Sequence, residues 1–140
     1  MKERSVMIPI VDEQDTEVVR YQVAEKLGWR TIEYGASGLL IGLPPGQKKP
    51  SAVPSYARDI KAAWEIVECL VCRHIKIDIR NELINRYVRY YRAVIGEPAS
   101  PLGNGCSRKA AMAICMAFLE VPKDVLNRAD GKTIRSGDIV

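Results

Sequence analysis

The residues best suited to chemistry are Cys69, Cys72 and His74, which form a Cys-x-x-Cys-x-His cluster. Zinc binds thiolate and imidazole ligands of this kind, but a closed structural site usually has four of them. The other two cysteines, Cys106 and Cys115, are distant in the sequence and do not form a second paired motif. If a helix continues through Cys72, the first two cysteines are simply free thiols one turn apart. We therefore predict no metal site and no cofactor, and we expect EDTA to leave folding unchanged.

The side chains that usually build a catalytic centre do not form a recognisable set in this sequence. His74 can act as a general base only beside a nucleophile and an orienting carboxylate, and no such ordered set is present. The carboxylates Asp59, Glu65 and Glu68 fall on the polar side of a predicted helix. The segment GLPPGQKK, from Gly42, lacks the Gly-Lys-Ser/Thr ending of a phosphate-binding loop, and its prolines remove amide donors. We predict that the chain is not an enzyme.

The segment RYVRYYR combines arginine and tyrosine at strand-like spacing. Guanidinium groups pair with phosphates and aromatic rings stack on bases, so this combination suits nucleotides and single-stranded nucleic acids. If the segment is a strand, its side chains alternate between two faces. One face then carries Arg86, Tyr90 and Arg92, and the other carries Tyr87, Arg89 and Tyr91. We predict a ligand or partner site on one set; in the alternative, the tyrosines cover the core and the arginines extend into solvent.

A second candidate contact is the pair Lys48 and Lys49, at the tip of a Pro-rich loop. Two adjacent ammonium groups on a loop can meet an anion or a partner protein, although an ordinary exposed loop is the favoured interpretation. The chain has 21 Lys and Arg against 17 Asp and Glu, a formal net charge of +4. This excess is compatible with an anionic partner but is too small to indicate nucleic acid by itself.

The stretch VPSYARDIKAAWEIVECLV, which begins at Val53, predicts a helix that packs in the core. Its apolar residues recur at helical spacing, and Trp64 lies at the centre of the stripe that they form. Ser55 is in position to cap the helix, and Asp59 places negative charge near its positive end. We therefore expect Trp64 to be buried, so that Trp64→Ala costs about 3 to 5 kcal/mol of stability.

Periodicity and turn residues predict the remaining elements. The predictions are a helix from 15 or 16 to Gly28, strands at 29–34, 38–42 and 74–80, loops at 42–54 and 96–105, and a helix from Ser107 to about Pro122. The segment from Leu83 to Ile95 fits either a helix or a strand, and local pattern does not decide between them.

Length and composition favour one cytoplasmic domain. A chain of 140 residues can fold without disulfides or metal, and the domain is expected to span residues 1–122, with a partly ordered C-terminal tail at 123–140. The sequence has no apolar run of the roughly 18 residues that cross a bilayer, and its N-terminus lacks the apolar segment of a signal peptide. Four cysteines fit free thiols in a reducing compartment.

Three segments in this order resemble a known family. They are VAEKLGW at 23–29, YARDIKAAWEIVECL at 56–70 and KAAMAICMAFLEV at 109–121, with the alternating strand at 75–79 between them. The most specific part is the run Tyr-x-x-Asp-Ile-x-x-Ala-Trp from Tyr56 to Trp64. This pattern resembles the phage ABA sandwich domain, a family of small proteins from Gram-positive phages and prophages.

The resemblance implies an α+β fold, with a small antiparallel sheet packed against about three helices in the order αββαββα. It favours a strand at 84–93, paired with 74–80 around Asn81 and Glu82, and it implies nothing catalytic. The expected function is a phage- or prophage-encoded binding protein in the host bacterial cytoplasm, for host takeover or counter-defence. Its expected partner is a host protein or a nucleotide-type small molecule. No membrane partner is expected, and self-association into a homo-oligomer is compatible with this function. The alternative is a nucleic-acid-binding phage accessory protein.

Overall fold

The structure is a computed structural model that describes residues 16–83 and 89–128. Within these ranges the chain forms four helices and two antiparallel three-stranded sheets. In chain order the elements are α1 (Thr16–Leu27), β1 (Arg30–Tyr34), β2 (Leu40–Leu43), β3 (Ser51–Ala52), α2 (Ile60–Cys72), β4 (Ile77–Leu83), β5 (Arg89–Glu97), β6 (Ser100–Ser107), α3 (Ala110–Glu120) and α4 (Lys123–Arg128). The predicted α+β class is confirmed. Each of the two predicted strand pairs gains a third strand, β3 in the first sheet and β6 in the second.

The first helix and the first hairpin lie where turn residues predicted them. Gly28 ends α1 with φ +107°, a left-handed conformation that glycine adopts without steric cost. The Gly28 amide donates to the Glu25 carbonyl and the Trp29 amide to the Ala24 carbonyl, which closes the end of the helix. β1 then pairs antiparallel with β2, and the short strand β3 pairs with β2.

The central helix begins later than predicted, and the prediction of a buried Trp64 is wrong. Ser55 does not cap the helix: its carbonyl accepts the amides of Arg58 and Asp59 in a preceding turn. Asp59 is the N-cap, and its carboxylate accepts the Lys61 amide at 2.9 Å. The helix packs through Ala62, Ala63, Ile66, Val67 and Leu70, whereas Trp64 is 48% exposed. The apolar residues of α2 cover a wider arc than the core can contact, and Trp64 lies outside the buried part.

The second sheet resolves the ambiguous segment in favour of a strand from Arg89 onward. β4 pairs antiparallel with β5, and β5 with β6. The expected turn at Asn81 and Glu82 is wrong, because both residues lie in β4, opposite Tyr91 and Tyr90. β4 begins at Ile77, three residues later than the predicted strand, and continues to Leu83, so that three residues beyond Arg80 pair with β5. The part of the predicted strand at 84–88 lies outside the described residues.

The segment predicted as a loop at 96–105 contains most of β6, because its glycines serve packing. A Cβ atom at Gly103 would lie 2.0 Å from the Ala117 carbonyl oxygen, and one at Gly105 would lie 2.3 Å from that of Ala113. Only glycine lets β6 approach the α3 backbone so closely. The helix predicted from Ser107 begins later: Ser107 ends β6, the N-cap of α3 is Lys109, and the Ser107 hydroxyl only accepts the Lys109 amide, at 3.1 Å, in the link between strand and helix.

Most of α3 is buried, since it packs against β5, β6, α1 and α2. Phe118, Ile114 and Cys115 are among its fully buried side chains. The core continues into the segment predicted as a tail, where Leu126 of α4 is 7% exposed. In the described part of the chain, no helix has the length and apolar character needed to cross a membrane.

Candidate ligand-binding site

The second sheet presents a polar face on the side opposite α3, and we call it the outer face. Cross-strand register brings its residues together in three rows: Asp78 beside Val94 and Asn104, Arg80 beside Arg92 and Cys106, and Glu82 beside Tyr90. The residues between these rows point to the other face of the sheet. One such row, of Ile79, Ala93 and Gly105, faces α3. Because alternate residues of a strand point to opposite faces, the helix covers only the apolar set.

Arg92 is the centre of a hydrogen-bond network on the outer face. Its Nε donates to Glu82 Oε1 at 3.2 Å, its Nη1 to Asn104 Oδ1 at 3.3 Å, and its Nη2 to the Tyr90 hydroxyl at 3.4 Å. The Tyr90 hydroxyl in turn donates to Glu82 Oε1 at 2.7 Å. The guanidinium carbon also lies 5.9 Å from the centre of the Tyr90 ring. The network holds Arg92 in one orientation across all three strands.

These contacts and the burial of the site shift the pKa values of three side chains, Glu82, Arg92 and Cys106. The hydrogen bond from Tyr90, followed by that from Arg92, holds the pKa of Glu82 below its usual value. The pKa of Arg92 is raised, first by its hydrogen bond with Tyr90 and then by Glu82 against the opposing effect of burial. Burial raises the pKa of the neighbouring Cys106 thiol, so this side chain stays neutral beside the arginine. Glu82 and Arg92 therefore remain charged at neutral pH.

The outer face contains a depression of about 210 Å³, which extends to the turn between β5 and β6. Its lining residues are Asp78, Arg80, Arg92, Val94, Pro98, Pro101 and Asn104. Arg80 lies directly opposite Arg92, and its side chain is 62% exposed against 32% for Arg92. Arg80 Nε donates to Asp78 Oδ2 at 3.0 Å, while its two terminal nitrogens have no hydrogen-bond partner among the residues that the structure describes. Those nitrogens are free to bind an anion.

The predicted arginine and tyrosine residues divide between the two faces of the sheet. Tyr90 and Arg92 lie on the outer face, but Tyr90 is buried, so its ring is not open to stack on a base. Tyr91 is half-buried against the core on the inner side. Arg89 is exposed, and its Nη1 donates to Asn81 Oδ1 at 2.6 Å. Arg86 and Tyr87 lie outside the described residues.

The other predicted contacts do not meet the depression. Lys48 and Lys49 are exposed on the loop between β2 and β3 of the first sheet. The depression instead includes Arg80 and Asn104, which sequence reasoning missed as site residues. In the strand predicted at 74–80, isoleucines at 75, 77 and 79 alternate with polar residues, which include Arg80, so this pattern indicates a polar face for Arg80. Asn104, in contrast, belongs to a segment predicted as a loop.

The Cys-x-x-Cys-x-His cluster has the geometry of a helix end. Cys69 and Cys72 lie in the last turn of α2, and all four cysteines are free thiols. Arg73 Nη1 donates to the Cys69 sulfur at 2.9 Å and to the Cys69 carbonyl at 3.2 Å. Burial raises the pKa of the Cys69 thiol. Across residues 16–83 and 89–128, no three His, Cys, Asp or Glu side chains are grouped to hold a metal ion.

A separate cleft of about 230 Å³ lies where the C-terminal ends of the helices meet, and two of its cations, Lys26 and Arg73, have structural roles. Lys26 Nζ donates to the carbonyls of Leu119, at 2.9 Å, and Val121. Arg73 Nε donates to the Leu126 carbonyl at 3.3 Å. These carbonyls lack partners within their own helices, and cations at such ends are favourable. Lys26 and Arg73 are therefore accounted for as helix caps, while the third basic residue of the cleft, Lys123, lies close enough to lower the pKa of Lys26 after the larger effect of burial.

Comparisons of the chain with protein-family models, with characterised proteins and with solved structures gave no match. The fold and the candidate site therefore rest on the geometry above.

Proposed function

We propose that this protein is a small non-enzymatic binding protein that sequesters a nucleotide-type small molecule in the depression on the outer face. The observation that carries the proposal is the cross-strand pair of Arg80 and Arg92 beside Asn104. Like charges directly opposite each other in a sheet are unfavourable by themselves. Asp78 and Glu82 offset this repulsion by accepting from the Nε atoms, and the terminal nitrogens of Arg80 remain available for a phosphate group.

The size of the depression supports a small ligand. Pockets for drug-sized molecules typically measure about 300 to 1,000 Å³. A depression of about 210 Å³ suits a phosphate with part of a sugar, against the apolar wall of Val94, Pro98 and Pro101. Because Tyr90 is buried, we place the base outside the depression and assign no stacking to that ring. Recognition therefore centres on the phosphate.

The family resemblance supplies the biological setting of the proposal. A phage- or prophage-encoded protein that sequesters a nucleotide signal in the host cytoplasm would act in host takeover or counter-defence. Direct block of a host protein and binding of nucleic acid are the competing functions. Asp78 and Glu82 on the same face disfavour a nucleic-acid surface, since they oppose a polyanion beyond the single phosphate position.

Isothermal titration calorimetry tests the proposal with inorganic phosphate, 5′-mononucleotides and a single-stranded oligonucleotide, each at low and high salt. We expect saturable mononucleotide binding that Arg80→Gln abolishes. Arg89→Gln is the matched control, because it removes the same charge from an exposed arginine of the same sheet on the other parity. Both variants should retain the wild-type melting temperature, since both side chains are exposed.

Three results would count against the proposal. Equal losses in the two variants would indicate general electrostatic attraction. Oligonucleotide binding that weakens steeply with salt, without mononucleotide binding, would favour the nucleic-acid function. Absence of binding to all three probes would leave a protein partner as the better candidate for this face.

A further inference from the structure

The helix α2 presents an apolar stripe to solvent. Ile60, Trp64 and Val71 are 47%, 48% and 60% exposed. At 100° per residue these three side chains project within an arc of about 40°. Isolated exposed apolar residues are ordinary, but three on one side of a helix, with a tryptophan among them, are typical of a protein interface.

The spacing of the stripe is that of a helix that packs against another helix. With Val67, which is 6% exposed and packs in the core beside the stripe, the positions 60, 64, 67 and 71 are separated by four, three and four residues. Alternating steps of three and four residues produce the seam of a coiled coil. The stripe therefore fits a second helix better than a flat or irregular surface.

Charges beside the stripe specify which helix fits. Lys61 and Glu68 are exposed on the same side of it, one near each end. They are seven residues apart, about 10 Å along the axis, so they cannot pair with each other. Neither side chain has an ion-pair partner among the described residues. A matching helix carries a negative group opposite Lys61 and a positive group opposite Glu68.

A second copy of α2 in antiparallel orientation meets this requirement. Rotation about a twofold axis level with the midpoint of residues 64 and 65 brings Ile60 of one copy to within about 3 Å, along the helix axis, of Val71 of the other. The same rotation brings Lys61 of each copy to Glu68 of the other, which forms two equivalent ion pairs. In a parallel pair, by contrast, each charge would lie level with its own copy, and the pairs would be lost.

We propose that two copies of this chain associate through α2 as an antiparallel, twofold-symmetric pair. The contact is isologous, since the same surface serves both subunits. One helix per subunit forms an interface at the small end of the range for specific complexes, below about 1,200 Å². The dimer is therefore weak and concentration-dependent. It is independent of the proposed ligand site, which lies on β4, β5 and β6.

Sedimentation velocity of the full chain, in reducing buffer from low micromolar to several hundred micromolar concentration, tests the pairing of charges. Lys61→Glu and Glu68→Lys should each weaken dimerisation about tenfold. The double variant exchanges the charges and should return to within about twofold of the wild type. Both changes place acid near the helix N-terminus and base near the C-terminus, so the fold is expected to tolerate them.

A matched pair of valines tests the apolar stripe. Val71→Gln should weaken dimerisation, whereas Val18→Gln, at a helical valine that is 58% exposed on α1, should not. Circular dichroism melts confirm that each variant is folded. A wild-type protein that stays monomeric at the highest concentration overturns the proposal and leaves the stripe to a different occupant. Failure of the charge exchange to restore the dimer, or equal effects of the two valine changes, also overturns it.

Discussion

The four cysteines differ in how far water reaches them. Cys72 is exposed, Cys69 is half-buried under the Arg73 guanidinium, and Cys106 and Cys115 are buried. Burial raises the pKa of Cys115 to about 12. At pH 8 the reactive thiolate of such a group is about one part in ten thousand. These thiols therefore differ in reactivity by their positions and not by any catalytic activation.

We predict that a thiol reagent modifies Cys72 first in the native protein and reaches Cys106 and Cys115 only on unfolding. Mass spectrometry of timed reactions at pH 8 measures the order. Cys72→Ser is the control and should remove the fast phase. Rapid modification of Cys115 in the folded protein would contradict its burial.

Glu82 links the outer face to pH. Its folded-state pKa lies below the reference value of 4.5, first because of the Tyr90 hydrogen bond and then because of Arg92. A lowered pKa contributes stability that is fully present above the unfolded pKa and is lost as the pH falls through the folded value. The contribution of Glu82 should therefore decline below about pH 4.5.

We predict that Glu82→Gln lowers the free energy of unfolding at pH 7 and that the difference from wild type shrinks as the pH is lowered. Urea titrations followed by circular dichroism at several pH values measure the difference. Glu33→Gln, at an exposed position of β1, should change stability little throughout. A Glu82→Gln effect that is independent of pH would show that the carboxylate charge is not responsible.

Trp64 is the residue whose predicted burial differs most from its exposure in the structure. Helical periodicity correctly places it in a helix with Ala63 and Val67, but periodicity alone does not decide which part of a broad apolar arc meets the core. That choice depends on where α3 packs against α2, which is a long-range property of the fold. The same local pattern is compatible with a buried or an exposed tryptophan.

We now predict that Trp64→Ala costs less than about 1 kcal/mol, as is usual for exposed positions. Phe118→Ala, at a fully buried residue of α3, should cost about 3 to 5 kcal/mol. Urea unfolding at low protein concentration, where association through α2 is negligible, compares the two variants. Similar losses in both would place Trp64 in the core after all.

At the scale of elements, local signals predicted α1 and the first hairpin because their ends are set by nearby turn residues. Gly28 is such a signal, since it ends α1 within its own turn. β6 was missed because glycine and proline are typical of loops. The strand needs its glycines because any larger residue would collide with the backbone of α3. The sequence predicts α3 as a helix but does not show that it packs on this strand. The residue Asn104 was lost from the predicted site for this reason.

We predict that Gly103→Ala destabilises the protein by about 1 to 3 kcal/mol or more, because its Cβ would force β6 and α3 apart. The added atom would lie 2.0 Å from the Ala117 carbonyl oxygen. Gly35→Ala is the control, since its nearest neighbour is the end of the Ile41 side chain at 2.9 Å, which can move. Thermal unfolding of both variants provides the measurement. Equal melting temperatures would contradict the close packing of strand and helix.

At the scale of the whole molecule, α3 joins the parts that the sequence shows separately. It contacts α1 and α2 on one side and β5 and β6 on the other. Its segment is apolar nearly all round, which is typical of a helix buried on most sides. The outer face of the second sheet and the exposed stripe of α2 are thus two surfaces held by one core. The sequence could predict the amphipathic elements, but their mutual placement required the tertiary contacts.

The core cluster includes a residue beyond the domain boundary predicted at residue 122. Leu126 lies beyond the boundary, yet it is 7% exposed and belongs to the core cluster. Its carbonyl accepts from Arg73 Nε at 3.3 Å, which ties α4 to the end of α2. A short helix has little stability of its own, so α4 depends on these contacts.

We predict that Leu126→Ala lowers the free energy of unfolding by about 2 to 4 kcal/mol, the cost of a buried leucine truncation. Asn127→Ala, at the exposed neighbouring position, should cost much less. Urea unfolding measures both, and the slope with urea shows whether α4 unfolds together with the rest of the domain. If Leu126→Ala behaves like the surface control, α4 is dispensable and the domain ends near Pro122. If the predicted loss is found, the domain extends at least to α4. The boundary predicted from sequence periodicity is then too early, because Pro122 marks only a short turn between two helices that share one core.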